Sequence, residues 1–185
     1  MQNAHQRKKE PELIRQKILA FAIQLAAEKG VAGVSIQAVA DLAGVTKGGV
    51  FHHYPNKQKL LEAMVQEVLS QLDQAVDEYM QKDSESYGSF TRAYIYFTLQ
   101  TEPKGIGSLW SAISMTMLTD HAFNAVWLNW LNGRLAKHKP TDSGIELQLL
   151  RFTADGVWLN VFGCSEDMQL MQNMQQELLR RTYVQ

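Results

Sequence analysis

Residues 35–60 read SIQAVADLAGVTKGGVFHHYPNKQKL, two short apolar-periodic stretches divided by one glycine and closed by a proline. Ser35 is placed to cap a first helix, its hydroxyl accepting from a free backbone N–H, and Ile36, Val39, Ala40 and Ala43 then share one apolar face. Gly44 ends that helix, because glycine adopts left-handed backbone without a Cβ clash and lets the chain turn sharply. Thr46 caps a second helix over Lys47–His53; Pro55 then biases Tyr54 away from helical geometry, and Asn56 caps a long third helix. Ala40, Gly44 and Val50 supply, in order, the small residue, turn glycine and buried branched residue that a tight helix pair requires. The spacing predicts a helix-turn-helix for duplex DNA, with Lys47, Gly48, Phe51 and His52 outward and Val45, Val50 and Tyr54 turned to the core. An ordinary αα-hairpin with a solvated face is the bland alternative.

From about Leu13 to Leu61 the chain resembles the DNA-binding domain of the TetR-like (TetR/AcrR) family of bacterial one-component regulators. The residues that carry the resemblance are Ser35, Ala43-Gly44-Val45, Phe51-His52-His53-Tyr54, Lys57 and Leu60. The family usually has Tyr where Phe51 stands, and its hydroxyl meets a phosphate, so that contact is expected to be missing here. Gly48 and Gly49 offer no side chain for base readout. The resemblance therefore implies DNA binding more firmly than any sequence preference.

Charge distribution points the same way. Residues 1–60 hold nine Lys or Arg against four acids, whereas the remainder holds nine against fifteen, so a net charge of −1 hides a basic head on an acidic body. Unequal solvation alone would give the same imbalance; the functional reading is a few phosphate contacts per subunit, and so an affinity that is salt-sensitive and calls for two subunits. Lys57, in the first turn of the helix opened by Asn56, is expected to hold a backbone phosphate, where free N–H groups and the helix dipole favour an anion. Lys47 can reach guanine O6 and N7, Gln37 can reach adenine N6 and N7, and His52 can meet a base edge or a phosphate. His53 is either a phosphate contact or a structural histidine satisfying carbonyls of the turn before Pro55. With the capping Ser35 and Thr46, the glycine of close approach at 48, and Phe51, these make up the expected DNA-binding set.

Gln6-Arg7-Lys8-Lys9 is charged and terminal, which predicts a mobile arm, either a minor-groove contact or a solubilising tail. A buttressing helix is expected from Pro11 to Gly30, with Ile14, Ile18, Phe21, Ala22 and Leu25 at helical spacing. Beyond Asn56 the punctuation predicts helices near 57–82, 86–101, 109–118, 121–137, 145–162 and 166–183, with a broken segment at 103–107 and a loop at 140–144. The expected fold is all-α: a three-helix DNA-binding domain over 1–56, joined through the long helix to a helical effector-binding and dimerisation bundle over 57–185. Because that helix belongs to both regions, movement in the body can tilt the head without a flexible linker.

Two features of the body stand out. Tyr94, Phe97, Trp110, Met115, Met117, Phe123, Trp127 and Trp130 concentrate aromatics and methionine in the middle third, where the resemblance implies an effector cavity; they read either as core or as an adaptable apolar pocket. Of these, Tyr94, Phe97, Trp110, Met115, Phe123 and Trp127 are the candidate ligand contacts. Asp120, His121 and Asn124 nearby would orient a ligand or simply begin a helix. The second feature is a pair of apolar stripes: Leu147, Leu150, Ala154, Val157, Trp158 and Val161, then Met168, Met171, Met174 and Leu178. They either pack inward or, as the resemblance implies, form a four-helix dimer interface through Leu150, Ala154, Val157, Trp158, Val161, Met171, Met174 and Leu178.

The expected function is a homodimeric regulator, a repressor of a pseudo-palindromic double-stranded operator, relieved by an apolar or aromatic small-molecule effector. A DNA-bound adaptor answering to a protein partner is the alternative; exposed apolar surface outside the dimer interface would favour it, and an enclosed aromatic cavity would favour ligand control. Catalysis is disfavoured. Adjacent His52 and His53 point about 100° apart on a helix, and Cys164 has no basic neighbour to lower its pKa. A single cysteine excludes an intrachain disulfide and a cysteine-rich metal site, so no cofactor or metal is expected. The longest apolar stretch, Ile18–Ala27, is too short to span a bilayer, and a cytoplasmic protein without membrane contact is expected.

Overall fold

The structure is a computed structural model and describes residues 4–100, 113, 114, 116, 119–161 and 168–183. Helices run over Ala4–Lys29 (α1), Ile36–Ala43 (α2), Lys47–His53 (α3), Lys57–Gln81 (α4), Ser89–Thr98 (α5), His121–Lys137 (α6), Lys139–Asp142 (α7), Ile145–Val161 (α8) and Met168–Arg181 (α9), with a 3-10 turn at Val31–Gly33 between α1 and α2. Among the described residues there is no strand. The fold is all-α, with a helix-turn-helix at the N-terminal end and a helical body behind it.

The long α4 organises both. Leu60, Leu61, Met64, Val65, Val68, Leu69, Leu72 and Val76 are buried along it at three- and four-residue spacing, one continuous apolar stripe. They share one core with Ile18, Ala22, Val39 and Val50 of the head and with Phe90, Ala93, Tyr94, Phe97 and Phe123 of the body. At about 2 kcal/mol for each buried aliphatic side chain, separating head from α4 is far costlier than tilting both together. A second, smaller core joins Ile95 and Leu99 of α5 to Leu147, Leu150 and Ala154 of α8 and Leu178 of α9.

Two expectations about the chain's course are corrected. The backbone of the terminal segment is helical from Ala4, with Pro11 inside α1 rather than at its start. Pro11 supplies no N–H to the carbonyl four residues earlier and its ring crowds that carbonyl, so the helix runs through it with one bond fewer and a local cost. The expected loop at 140–144 instead opens as the helical turn α7, because Pro140 fits the first turn of a helix, where its missing N–H has no partner to lose. The segment expected to be broken, 103–107, lies outside the described residues.

Arg92 and Arg134, buried in the acidic body, are each held by carboxylates, buried for Arg92 and partly exposed for Arg134. Arg92, almost fully enclosed, holds Asp83 through Nε at 2.6 Å and donates to Thr182 Oγ1 at 3.2 Å, tying α5 to the end of α4 and to the C-terminal turn. Arg134 of α6 bridges Asp73 and Asp77 of α4. That bond holds the Asp77 carboxyl below its usual range, against the opposing effect of burial.

Candidate nucleic-acid interface and effector cavity

The head is built by caps. Ser35 Oγ accepts from the N–H of Ala38 at 3.1 Å, Thr46 Oγ1 from that of Gly49 at 3.0 Å, and Asn56 Oδ1 from that of Lys59 at 2.9 Å. Each such bond contributes about 1 kcal/mol and fixes where its helix begins. Between α2 and α3, Gly44 sits at φ 65° and ψ 35°, the left-handed conformation that a Cβ opposes, and the N–H of Val45 returns to the carbonyl of Ala40 at 3.0 Å. Val50 is fully buried, Tyr54 is buried with its hydroxyl donating to the Arg15 carbonyl at 3.4 Å, and the Arg15 guanidinium lies 5.7 Å above its ring.

With Val50 and Tyr54 anchored inward, the opposite face of α3 is free. Lys47, Gly48, Phe51 and His52 are exposed, Phe51 to 44%, while His53 is half-buried with its ring edge-on to His52 at 5.3 Å. Lys57 is exposed at the start of α4, and among the described residues neither it nor Lys47 has an ion-pair partner. Gln37 is exposed on α2, where its amide donates to Asp41 Oδ1. Reaching a base would require breaking that bond. A Cβ at Gly48 would meet nothing closer than Thr46 Oγ1 at 3.8 Å, so packing within the chain does not require glycine there.

In the body, α5, α6 and α8 enclose a cleft of about 330 Å³. Of the sequence candidates, Tyr94 and Trp127 line it, their ring centroids 6.3 Å apart. Phe97 and Phe123 are buried in the main core beside it, and Trp110 and Met115 lie outside the described residues. Asn124 lines the cleft, whereas Asp120 caps α6 by accepting from Ala122 and Phe123, and His121 faces solvent. Sequence reasoning missed Phe152 and Asp155 of α8, which line the cleft together with Trp158, a residue expected at the dimer contact. The signal was present: Asp155 is a carboxylate in the middle of an apolar stripe.

Of the two readings of the α8 and α9 stripes, several residues follow the inward one. Leu150, Ala154 and Leu178 are buried in the chain's own second core, with Val157, Trp158 and Met171 packed against it. Val161's side chain lies outside the described residues, and Met174 borders a groove of about 830 Å³ between α8 and α9. The helical periodicity holds, and α8 carries further exposed apolar residues, Ile145 and Leu149 together with Phe152 and Leu159, which also line the cleft, all exposed by 51–63%, with Leu170 of α9 close to half exposed.

Two family models match this architecture. Residues 18–64 match the bacterial regulatory proteins of the tetR family, and residues 88–183 match the tetracyclin repressor-like C-terminal domain. The chain belongs to the tetR family. A curated relative, the HTH-type transcriptional repressor KstR2 of Rhodococcus jostii, is 27% identical over 165 residues, covering 80% of this chain and 78% of its own. In fold, the tetR-family chain is similar to a transcriptional regulator from Rhodococcus sp. Rha1, with a TM-score of 0.70 at 19% identity over 91% of this chain and 95% of that one. It is also similar to the multidrug binding protein EbrR, crystallised with malachite green, with a TM-score of 0.66 at 21% identity over 89% and 96%. The tetR family is one of transcription regulators, and among the described residues no helix is long and apolar enough to cross a membrane.

Proposed function

We propose that this protein is a homodimeric, cytoplasmic repressor that sets α3 of each subunit into successive major grooves of a pseudo-palindromic operator. An apolar or aromatic small molecule in the cleft between α5, α6 and α8 releases it. The observation that carries this reading is the face of α3. Lys47, Gly48, Phe51 and His52 stand together on a capped helix whose other side is locked by Val50 and Tyr54, so a rigid element offers a cation, a flat ring and bare backbone to one groove. Lys57 at the N-terminus of α4 positions the head on a phosphate without reading sequence.

Two subunits follow from charge and from surface. A head with a small basic excess binds weakly alone, and the exposed apolar residues of α8 with Leu170 of α9 support a two-fold contact that pairs these helices with their copies. The cleft's aromatic lining favours a small ligand over a protein partner, and the KstR2 relative's name as a repressor favours repression. The head and body divide the work at about residue 56. Selection of bound fragments from random duplex DNA tests the proposal: an inverted repeat with half-site centres about one helical turn apart is expected. Recovery of no duplex at low salt would overturn it.

A further inference from the structure

The cleft between α5, α6 and α8 carries an electrostatic feature that an apolar ligand does not explain. Asp155 lines it beside Tyr94, Trp127, Phe152 and Trp158, and one of its oxygens accepts the Tyr94 hydroxyl at 2.6 Å. Among the described residues no Lys, Arg or His comes within ion-pair distance of it. Arg151, one turn earlier on α8, is engaged elsewhere: its Nη1 donates to Thr91 Oγ1 and to the carbonyl of Asp142. Asp142 is itself buried and accepts from both the N–H and the hydroxyl of Thr91. Arg151 therefore makes no direct bond to Asp155, and the Asp155 carboxylate, held by the Tyr94 hydroxyl, lines the cleft.

Burial pushes the Asp155 carboxyl above its usual range, opposed by the Tyr94 bond and by Arg151, and pushes the Tyr94 hydroxyl well above its own. Both shifts register the cost of holding negative charge beside apolar walls, which Arg151 offsets from a distance without an ion pair. Tyr94, Trp127 and Trp158 line the cleft beside Asp155, and aromatic rings attract a cation through their quadrupole.

We infer that the cleft takes an aromatic or lipophilic cation, an amine or quaternary ammonium whose positive nitrogen sits against Asp155 while its rings lie among Tyr94, Trp127 and Trp158. This rests on the reading of the cleft as the effector site and narrows it from apolar molecules to cationic ones. Three probes with one ring system separate the two claims: naphthylmethylamine, naphthylmethanol and naphthoic acid, titrated calorimetrically into the full chain near neutral pH. The amine is expected to bind at least about tenfold more tightly than the alcohol, with the acid weaker than both. Asp155→Asn keeps an acceptor for Tyr94 and is expected to bring the amine down to the alcohol's affinity while leaving the alcohol's unchanged. Equal binding of amine and alcohol to the unmodified protein overturns the cationic assignment and leaves the effector cleft standing; this arm needs no variant to fold. A preference for the amine that survives Asp155→Asn also overturns it. If none of the three binds, the effector reading fails and the inference falls with it.

Discussion

Replacing Gly48 by alanine separates helix stability from approach to DNA. A Cβ at residue 48 meets only Thr46 Oγ1, at 3.8 Å, so no clash offsets the helix preference of Ala over Gly, about 0.8–1.0 kcal/mol. In a chain of this size that gain raises Tm by about 2–4 °C. At Gly49 the added Cβ would lie 3.5 Å from Thr46 Oγ1 and from Val45 Cβ, ordinary contact, so the same gain is expected. On DNA the two positions part. Gly48 shares its face with Phe51 and His52, three and four residues on, whereas Gly49 is turned toward Val45 at the base of the helix. A methyl wedged between α3 and the groove wall costs about 1 kcal/mol in each of two half-sites, so operator affinity should fall roughly thirtyfold for Gly48→Ala and little for Gly49→Ala. Circular dichroism melts at matched protein concentration give the first quantity, and fluorescence anisotropy with the selected operator gives the second. A lowered Tm for Gly48→Ala would refute the open surroundings of residue 48. Unchanged affinity would refute close backbone approach, and equal losses at both positions would shift the cause to helix stiffness.

Lys47→Ala and Lys57→Ala are each expected to weaken operator binding; if Lys57 holds a phosphate in both subunits, its loss flattens the slope of log affinity against log salt by about 2, and an unchanged slope removes it from the backbone contacts. Leu149→Glu, among the exposed apolar residues of α8, should convert dimer to monomer in sedimentation at unchanged helix content. Half of one leucine is buried twice over in a two-fold contact, so the apolar loss alone is about 2 kcal/mol, roughly thirtyfold in dissociation constant, before the charge is counted. A persistent dimer would place the interface elsewhere. His138 stacks on Phe90 with centroids 5.4 Å apart, and its Nε2 has no hydrogen-bond partner among the described residues; burial, then Lys137 and Arg134, hold its pKa below 6.5. The unfolded chain takes up this proton before the folded one, so stability is full above about 6.5 and falls as pH drops toward the folded value. His138→Phe should therefore lose less stability than the unmodified chain between about pH 7 and pH 5 in denaturant titrations, and an equal loss would refute the assignment.

The head was legible almost residue by residue because its signals are local. Ser35, Gly44, Thr46 and Asn56 each act within three or four residues of themselves, and the structure puts a cap or a left-handed turn at each. The body was legible as helices but less so as faces. On α8 two apolar rows lie side by side, and periodicity cannot say whether Leu150 and Ala154 or Leu149 and Phe152 turn inward; that depends on Ile95 and Leu99, about 50 residues earlier. Buried charges were hidden for the same reason. Arg92, Arg134 and Arg151 look like surface residues until their partners arrive from other helices, such as Asp83 at the end of α4 and Asp73 in its third quarter. Asp155 gained meaning only when Tyr94, 61 positions away, closed on it.

In the proposed regulator, the path from cleft to head runs through contacts rather than a hinge. Trp127 lines the cleft and stacks on Trp130 with centroids 5.0 Å apart; the Trp130 indole N–H donates to Asp73 of α4 at 2.7 Å. Arg134 grips the same carboxylate oxygen at 2.7 Å and the Asp73 carbonyl at 2.7 Å, so a displaced Trp127 acts on α4 through two neighbours on α6. From Asp73 to the start of α4 is about 24 Å of helix, which turns each degree of tilt into roughly 0.4 Å at the head. Recognition helices that must meet grooves one turn apart tolerate little of that. A coupling of 1–3 kcal/mol, about 5–150-fold in operator affinity, then has to come from the difference in effector binding between the two head spacings, because a ligand that fits both equally shifts nothing however tightly it binds. The cleft wall that distinguishes the spacings is consequently the one attached to α4, the Trp127–Trp130 side, while Asp155 on α8 holds the ligand in place from the opposite side.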